Sequence, residues 1–259
     1  MKIGVSYNTF DGEELLESSI KAIRNEVNYI SVVYQTTSNF GQGCDEGLVP
    51  LLERLKSENL VDDLFEYHPR INKGGHFNEI TKRNIGLSLS EGAGCTHHMA
   101  MDSDEFYTVD QFRYMKKIME EGGYDSSACQ MTTYYKEPIY RLEPKEEYYV
   151  SLLFKIKQGR EYVIGHPFPV LVDPTRRMEP GNCKIFTRDE IEMHHMSYVR
   201  KDIEKKVRNS SAKVNFESWI PEFLDYFNNW KEGDDALMPG RPPGRYKLIE
   251  VENNFSIEI

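Results

Sequence analysis

Three acidic residues stand close together in THHMAMDSDEFYTV, residues 96–109: Asp102, Asp104 and Glu105. The apolar run before them is typical of a buried strand, which puts the acids at a strand end. Neighbouring carboxylates raise one another's pKa unless a cation neutralises them, and oxygen ligands of this kind favour Mg²⁺ or Mn²⁺. Because a D-x-D tripeptide is common by itself, a solvated acidic turn before a helix near Asp110 is the alternative interpretation.

The segments before this cluster alternate between strand and helix patterns. β-branched runs predict strands over KIGVSY and YISVVYQ, and apolar residues at helical spacing predict a helix over the intervening DGEELLESSIKAIRNEV. Helix and strand follow twice more, as GLVPLLERLKSENL with VDDLFEYH and as FNEITKRNIGLSLSEG with CTHHMAM. This alternation predicts parallel strands covered by helices over residues 1–105. Ligands of such sheets bind beyond the carboxyl ends of the strands, where the acids stand.

The pattern changes after one more helix, DQFRYMKKIMEEG. Strand-like runs then dominate, namely SSACQMTTYY, EYYVSLLFKIK, EYVIGHPFPVLV and CKIF, and they predict a mixed or antiparallel extension of the sheet. Helices are predicted over SYVRKDIEKKVRNS, with Ser197 as N-cap, and over FESWIPEFLDYFNNW. No low-complexity linker separates independent domains, so the expected fold class is α/β with a mixed central sheet and C-terminal helices.

Composition excludes several classes of partner. The 259 residues carry a formal net charge of −10, which gives no broad attraction for nucleic acid or an anionic membrane. No stretch approaches the roughly 18 apolar residues of a membrane span. The four cysteines lie far apart and form no CxxC pair, which is typical of reduced thiols in a cytoplasmic protein. We therefore expect a cytoplasmic chain without nucleic-acid partners or membrane spans.

Several blocks, taken together and in order, resemble the GT-A glycosyltransferases of the family 2 type. The resemblance covers residues 2–107 and 191–201, and residues 125–185 match only in outline. The blocks that carry it are SYNTFDGEELLESSIKAI, NKGGHFNEITKRNIGLSLSEG, MAMDSDEFY and MHHMSYVRK. It implies a single domain over residues 1–259, divided into a Rossmann-like nucleotide-sugar-binding half (1–107), an acceptor-side half (108–215) and a C-terminal helix and tail (216–259).

The activity that the resemblance implies is metal-dependent transfer of a hexosyl or deoxyhexosyl group from a nucleotide-sugar donor to a hydroxyl acceptor, with inversion favoured. The cation is expected to be Mn²⁺ or Mg²⁺, held by Asp102, Asp104 and His195. Arg200 is expected to hold a diphosphate near a helix N-terminus. The full set of donor-binding candidates is Ser6, Tyr7, Asn8, Gln35, Asn72, Lys73, Gly74, Arg83, Asp102 and Arg200.

The sequence departs from the family pattern in two places that matter for chemistry. The acidic motif expected after the second strand is replaced by VVYQTTSN, where Gln35 can still bond a base edge, so the donor nucleotide stays open. No clear general-base motif follows the sheet, although an inverting transferase needs one. Asp173 is the first candidate, because Arg176 and Arg177 follow it after an apolar run. The alternatives are Glu137, Asp189 and Glu190.

The acceptor and the oligomeric state are open at this point. The aromatic segment 134–149, YYKEPIYRLEPKEEYY, is the expected acceptor surface for a glycan or another hydroxyl compound, and its alternative is a pair of strands with half-buried tyrosines. Two other functions compete with a transferase. A sugar-phosphate nucleotidylyltransferase would normally carry a glycine-rich loop after strand one, which SYNTFDGEE is not. A non-catalytic carbohydrate-binding domain would bind no metal at the acidic pair.

Overall fold

The computed structural model describes residues 1–259. Its first half is a parallel sheet in which the first strand lies between the second and the fourth, and the third lies at the edge. These strands are β1 (Ile3–Thr9), β2 (Tyr29–Tyr34), β3 (Asp63–Glu66) and β4 (His97–Asp102). The helices between them are α1 (Glu13–Ile23), α2 (Leu48–Ser57) and α3 (Gly75–Gly92). The predicted α/β opening is confirmed.

The second half extends the same sheet with mixed pairing. Its strands are β5 (Glu105–Phe106), β6 (Ser126–Tyr135), β7 (Glu137–Glu143), β8 (Tyr149–Lys155), β9 (Cys183–Ile185), β10 (Glu192–Tyr198) and β11 (Lys247–Glu250). Its helices are α4 (Val109–Gly122), α5 (Ile203–Asn209) and α6 (Ile220–Asn229). β8 is antiparallel to β4 and β6, while β10 is parallel to β6 and antiparallel to β5. The predicted mixed central sheet is therefore confirmed.

The core explains why these segments fold as they do. All seven residues of β1 are buried, as expected for a strand with helices on both faces. The four apolar residues of α1 that recur at helical spacing are fully buried, and each contributes roughly 2 kcal/mol of hydrophobic stabilisation. α3 packs close to β1 because Gly86 has no side chain, and a Cβ there would collide with Ser6 Oγ. The carboxyl ends of β1, β2 and β4 are thereby fixed beside α3.

Three element predictions were wrong. Residues 161–172 form no strand, because Gly165, Pro167 and Pro169 interrupt the run and a proline cannot donate to a sheet ladder. The helix expected from residue 197 begins at Ile203 instead, since the chain up to Tyr198 pairs in β10. Its N-cap is Asp202, whose carboxylate accepts from the Lys205 backbone N–H at 2.8 Å, so Ser197 is not the N-cap.

β5, β10 and β11 were not among the predicted strands, whereas β7 lies in residues 134–149, where a pair of strands was the alternative interpretation. β7 and β11 pair with each other at the far edge of the sheet. The proposed division at residues 107 and 215 stays a prediction. None of the helices combines the length and the apolar character needed to cross a bilayer.

Candidate functional site

A polar cavity of about 260 Å³ opens at the carboxyl ends of β1, β2 and β4. Asn8, Gln35 and Asp102 reach it from these strand ends, and Arg83 reaches it from α3. Asp104, which follows β4, completes this side of the wall. The cavity therefore lies where the strand pattern predicted a ligand site.

Asp104 is buried and surrounded by cations. Its Oδ2 accepts hydrogen bonds from Arg200 Nη2 and, at 2.9 Å, from Lys206 Nζ. His195 Nε2 lies 3.6 Å from the same oxygen. Burial alone would raise the pKa of Asp104, but the charges of Lys206 and Arg200 hold that pKa well below its ordinary value. Asp104 is therefore ionised at neutral pH.

Asp102 and Glu105 share one buried arginine. Arg176 Nη2 donates to Asp102 Oδ2 at 2.6 Å, and both Nη atoms of Arg176 donate to the Glu105 carboxylate. Arg83 Nη2 approaches Asp102 Oδ1 at 3.4 Å. Burial raises the pKa of Asp102, whereas the charges of Arg176 and Arg83 outweigh burial and lower it below the ordinary value. Glu105 does not line the cavity. Its carboxylate accepts from Arg176 and so helps to fix the position of that arginine.

These side chains form one group, which we call the cavity cluster. It consists of Asp102, Asp104, Glu105, Arg83, Arg176, Arg200 and Lys206. Three carboxylates face four permanent or near-permanent cations, which satisfies the rule that buried charges are paired. The residues that line the cavity carry five acidic and four basic side chains, so any binding of an anion there depends on individual cations such as Arg83 and Arg200 rather than on a net positive charge.

The insertion of β10 brings His195 to Asp104. β10 pairs with β5 through His195 and Glu105, and with β6 through His195 and Thr133. Side chains alternate along a strand, and His194 accordingly turns to the core, where Nδ1 lies 2.8 Å from the Tyr134 hydroxyl. His195 Nδ1 is buried without a partner.

Several polar atoms near the cavity have no protein partner. Both side-chain polar atoms of Asn8 are buried and unpaired, as are Nε and Nη1 of Arg83 and of Arg200. Buried polar groups are normally hydrogen-bonded, so each such atom calls for an explanation. Gln35, in contrast, is engaged, because its Nε2 donates to Thr37 O at 3.0 Å and to Asn39 Oδ1 at 3.1 Å. Arg83 and Arg200 both line the cavity, and Nη1 of Arg200 packs against Gly12.

Five predicted donor-binding residues lie outside the cavity. Tyr7 is in the hydrophobic core, with its hydroxyl 3.1 Å from Ser19 Oγ, so it cannot stack on a base. Ser6 lies on the other side of β1, beneath α3. Asn72, Lys73 and Gly74 form an exposed turn before α3 that does not line the cavity. The predicted turn at residues 72–74 is present, but it lies outside this cavity.

Only one of the general-base candidates reaches the cavity. Asp173 lines it, and its Oδ1 accepts from the Thr175 backbone N–H at 2.6 Å and from Thr175 Oγ1 at 2.7 Å. Glu137 is exposed on β7, and Glu190 is paired with Lys184 at 2.9 Å. Neither Glu137 nor Glu190 lines the cavity, and neither does Asp189.

The sequence prediction missed residues that the fold brings in from a distance. Lys206 comes from α5, and a further ion pair joins Lys82 to Glu79 at 2.9 Å on α3. Asn39 Nδ2 donates to Glu79 Oε1 at 3.0 Å. Nothing in the local pattern of these residues distinguishes them from ordinary surface polar residues. Arg176 was noted only as a neighbour of Asp173, not as the partner of Asp102.

The family resemblance implies a divalent cation, and the residue types at the site can be compared with the ligands that such a cation takes. Asp102, Asp104 and His195 provide carboxylate and imidazole groups that suit Mn²⁺, and all three line one cavity. The unpaired His195 Nδ1 leaves the imidazole without a fixed role in the protein. As they stand, they do not form a three-ligand metal group. The residues fit such a cation in type and line one cavity, but Arg83 and Arg176 engage both oxygens of Asp102, so the fit depends mainly on Asp104 after the Lys206 ammonium leaves it.

No protein-family model matches the chain, and no curated protein sequence matches it. S. aureus TarS 1–349 is similar at 10% identity over 88% of this chain and 75% of that one, with a TM-score of 0.48. Its UDP complex matches over 51% and 36%, with a TM-score of 0.39. The mannosyltransferase PcManGT from Pyrobaculum calidifontis, in complex with GDP-Man and Mn²⁺, is similar at 11% identity over 89% and 65%, with a TM-score of 0.47.

GalNAc-T7 with UDP, GalNAc and Mn²⁺ is similar at 11% identity over 90% of this chain and 52% of that one, with a TM-score of 0.46. The chain thus spans from about a third to three quarters of the matched chains. Likenesses at these identities and TM-scores carry no assignment of ligand or activity.

Proposed function

We propose that this chain is a GT-A-type glycosyltransferase that moves a sugar from a nucleotide-sugar donor to a hydroxyl acceptor, with Mn²⁺ or Mg²⁺ and with net inversion. The observation that carries the proposal is the convergence of Asn8, Gln35, Arg83 and Arg200 on one cavity with the Asp102 to Asp104 pair. These residues come from opposite ends of the chain, and a resemblance in sequence order alone did not require them to meet. The cytoplasm is the proposed location.

The donor diphosphate would bind at Arg83 and Arg200, which both line the cavity. Guanidinium groups suit phosphate oxygens because they offer several N–H donors in a fixed plane. Both arginines are buried, so the hydrogen bonds form in a medium of low dielectric constant and little side-chain freedom is lost on binding. Asn8, with a free donor and a free acceptor, would orient the nucleoside end of the ligand.

The bound cation, held by Asp102, Asp104 and His195, would neutralise charge on the departing diphosphate. Asp173 would take the proton of the acceptor hydroxyl, as the one base candidate that lines the cavity. Its Oδ1 is fixed by Thr175, which orients the carboxylate toward one rotamer. Arg176 would keep Asp102 in place and ionised.

The acceptor surface proposed over residues 134–149 is smaller than the sequence suggested. Tyr134 and Tyr135 are buried, and Tyr135 packs in the core beside α6. The ring of Tyr140 lies against Trp230, with centroids 5.3 Å apart. Glycan, lipid-linked saccharide and protein-linked sugar are all acceptable acceptors for the remaining surface.

The decisive experiment incubates the purified chain with a panel of UDP-, GDP- and dTDP-sugars and Mn²⁺, and measures slow donor hydrolysis. At least one donor should be hydrolysed, and the matching nucleoside diphosphate with Mn²⁺ should raise the Tm. Asp104→Asn should lower hydrolysis at least about 100-fold, because the cavity loses a ligand and a charge. Asp110→Asn, an exposed acid on α4, is the matched control. No hydrolysis and no Tm shift with any donor would refute the transferase.

A further inference from the structure

The two cations that bind Asp104 differ in their freedom to move. Arg200 is buried, with 2% of its side chain exposed, and a Cβ at Gly12 would collide with its guanidinium. Lys206 has 23% of its side chain exposed and ends in a compact ammonium on a flexible stem. Only Lys206 can leave Asp104 without unpacking its surroundings.

The helix that carries Lys206 is itself anchored. Ile203 and Val207 of α5 pack in the cluster formed with α6, and Asn209 Nδ2 donates to Gln42 Oε1 at 2.6 Å. The side chain of Lys206 therefore reaches the cavity from a fixed backbone. Movement of the ammonium by one or two rotamer changes is sufficient to free the carboxylate.

The oxygen that Lys206 occupies is the one nearest to His195. Lys206 Nζ lies 2.9 Å from Asp104 Oδ2, and His195 Nε2 lies 3.6 Å from that same atom. A cation held jointly by Asp104 and His195 would stand next to this oxygen. Two positive charges at that spacing repel, and the repulsion is stronger in a buried site than in water. Lys206 and a divalent cation therefore exclude each other there.

We propose that Lys206 is a built-in counter-ion that competes with the divalent cation for Asp104 and turns to the donor diphosphate when that cation binds. The inference rests on the proposed function and assigns a role to a residue that the sequence pattern did not single out. Without the cation, the ammonium keeps the buried carboxylate neutralised, which a site empty of metal requires. With cation and donor present, the displaced ammonium gains an anionic partner in the diphosphate.

The test measures Mn²⁺ binding to the full chain by the electron paramagnetic resonance of free Mn²⁺. Lys206→Met should tighten Mn²⁺ binding by about tenfold or more, because the competing charge is gone. At saturating Mn²⁺, the same variant should bind inorganic pyrophosphate about tenfold more weakly. Lys205→Met is the matched control, since Lys205 is the adjacent lysine and its ammonium lies over the Phe10 ring rather than at Asp104. A general change of the electric field would affect both variants alike.

Equal Mn²⁺ affinity in the wild type and Lys206→Met, including binding to neither, overturns the inference, and so does an equal shift in Lys205→Met. Lys206→Gln serves the same purpose if the methionine variant does not fold. Donor hydrolysis tests the proposed function independently of the Mn²⁺-binding measurement. If the chain hydrolyses a donor but Lys206→Met does not change Mn²⁺ binding, the proposed function stands and this inference is wrong. If Lys206→Met binds Mn²⁺ more tightly but no donor is hydrolysed, this inference stands and the proposed function is wrong.

Discussion

The cavity cluster and a second group of ion pairs on the surface use the same chemistry under different conditions. The second group, which we call the surface cluster, consists of Glu17, Lys21, Arg54 and Glu58. Glu17 on α1 pairs with Lys21 at 2.7 Å, and Arg54 on α2 pairs with Glu58 at 3.1 Å and with Glu17. Those side chains are 28–58% exposed, whereas Asp104 and Glu105 are 1–2% exposed. Water can replace a partner on the surface but not at Asp104 or Glu105, whereas Asp102, with 35% of its side chain exposed, is intermediate. Pairing is therefore optional on the surface and obligatory in the interior.

The largest expected effect is the loss of the shared arginine. Arg176→Met leaves Glu105 buried without a counter-ion and should lower the free energy of unfolding by about 3–5 kcal/mol, which corresponds to a Tm lower by roughly 6–15 °C. Calorimetry measures the change in Tm. Arg177→Met is the control, since the side chain of Arg177 donates only to Val172 O. Adding Glu105→Leu to Arg176→Met should restore part of the stability, because the unpaired buried acid is removed. If the double variant is no more stable than Arg176→Met, the contrast between interior and surface ion pairs is wrong.

A pH titration tests buried groups that have no counter-ion. Burial lowers the pKa of His98 to about 3, with a smaller contribution from the Arg83 charge. Burial likewise lowers the pKa of His194 to about 4. The unfolded chain takes up protons below about pH 6.5, before the folded chain does, so stability falls as the pH falls from 6.5 toward these folded values.

Each of these two imidazoles should reduce the free energy of unfolding by up to about 1.4 kcal/mol per pH unit in that window. Denaturant titrations at pH 7, 6, 5 and 4.5 measure the slope. His98→Gln should flatten it, whereas His68→Gln, at an exposed position, should not. An unchanged slope in both variants would show that the buried histidines do not control acid stability.

The smallest expected effect belongs to the surface cluster. Glu17→Gln removes its central carboxylate, yet the Tm should change by no more than about 2 °C, because exposed ion pairs contribute little and are screened by salt. Differential scanning fluorimetry at low and at 1 M NaCl provides the measurement. A loss comparable with that of Arg176→Met would remove the distinction between surface and interior on which the comparison rests.

The difference between the two clusters also explains what the sequence could predict. Local periodicity correctly predicted the helices α1–α4 and the strands up to residue 135 except the two-residue β5, because hydrophobic periodicity reports directly on which face is buried. Asp102 and Asp104 were predicted from their position after a strand-like run and His195 from the family resemblance, and all three line the cavity, although their metal-binding role stays a prediction. The run over residues 161–172 misled because its apolar content suggests a strand, whereas its prolines and glycine prevent one.

Partner choice in the interior was not predictable from a local pattern. Arg176 meets Glu105 across 71 positions of the chain, and Lys206 meets Asp104 across 102. Tyr7 faces the core on the opposite side of β1 from Asn8, and Ser6 shares the face of Asn8 but is covered by α3 at Gly86, which depends on how α3 packs on β1. These contacts and orientations depend on tertiary structure, since they are determined by how the helices and strands are placed relative to one another and not by the type of each element.

The sequence separation of Asp104 and Lys206 has a consequence for synthesis. Asp104 and Lys206 lie 102 positions apart, and the segment between them includes β10, which has to insert between β5 and β6 before His195 approaches the acids. At about 5–20 residues per second, a ribosome adds this length in roughly 5–20 s. During that interval the parallel strands can assemble, but the acids at their edge face the solvent without their last counter-ions. The site is thus completed only when the second half of the chain has been made.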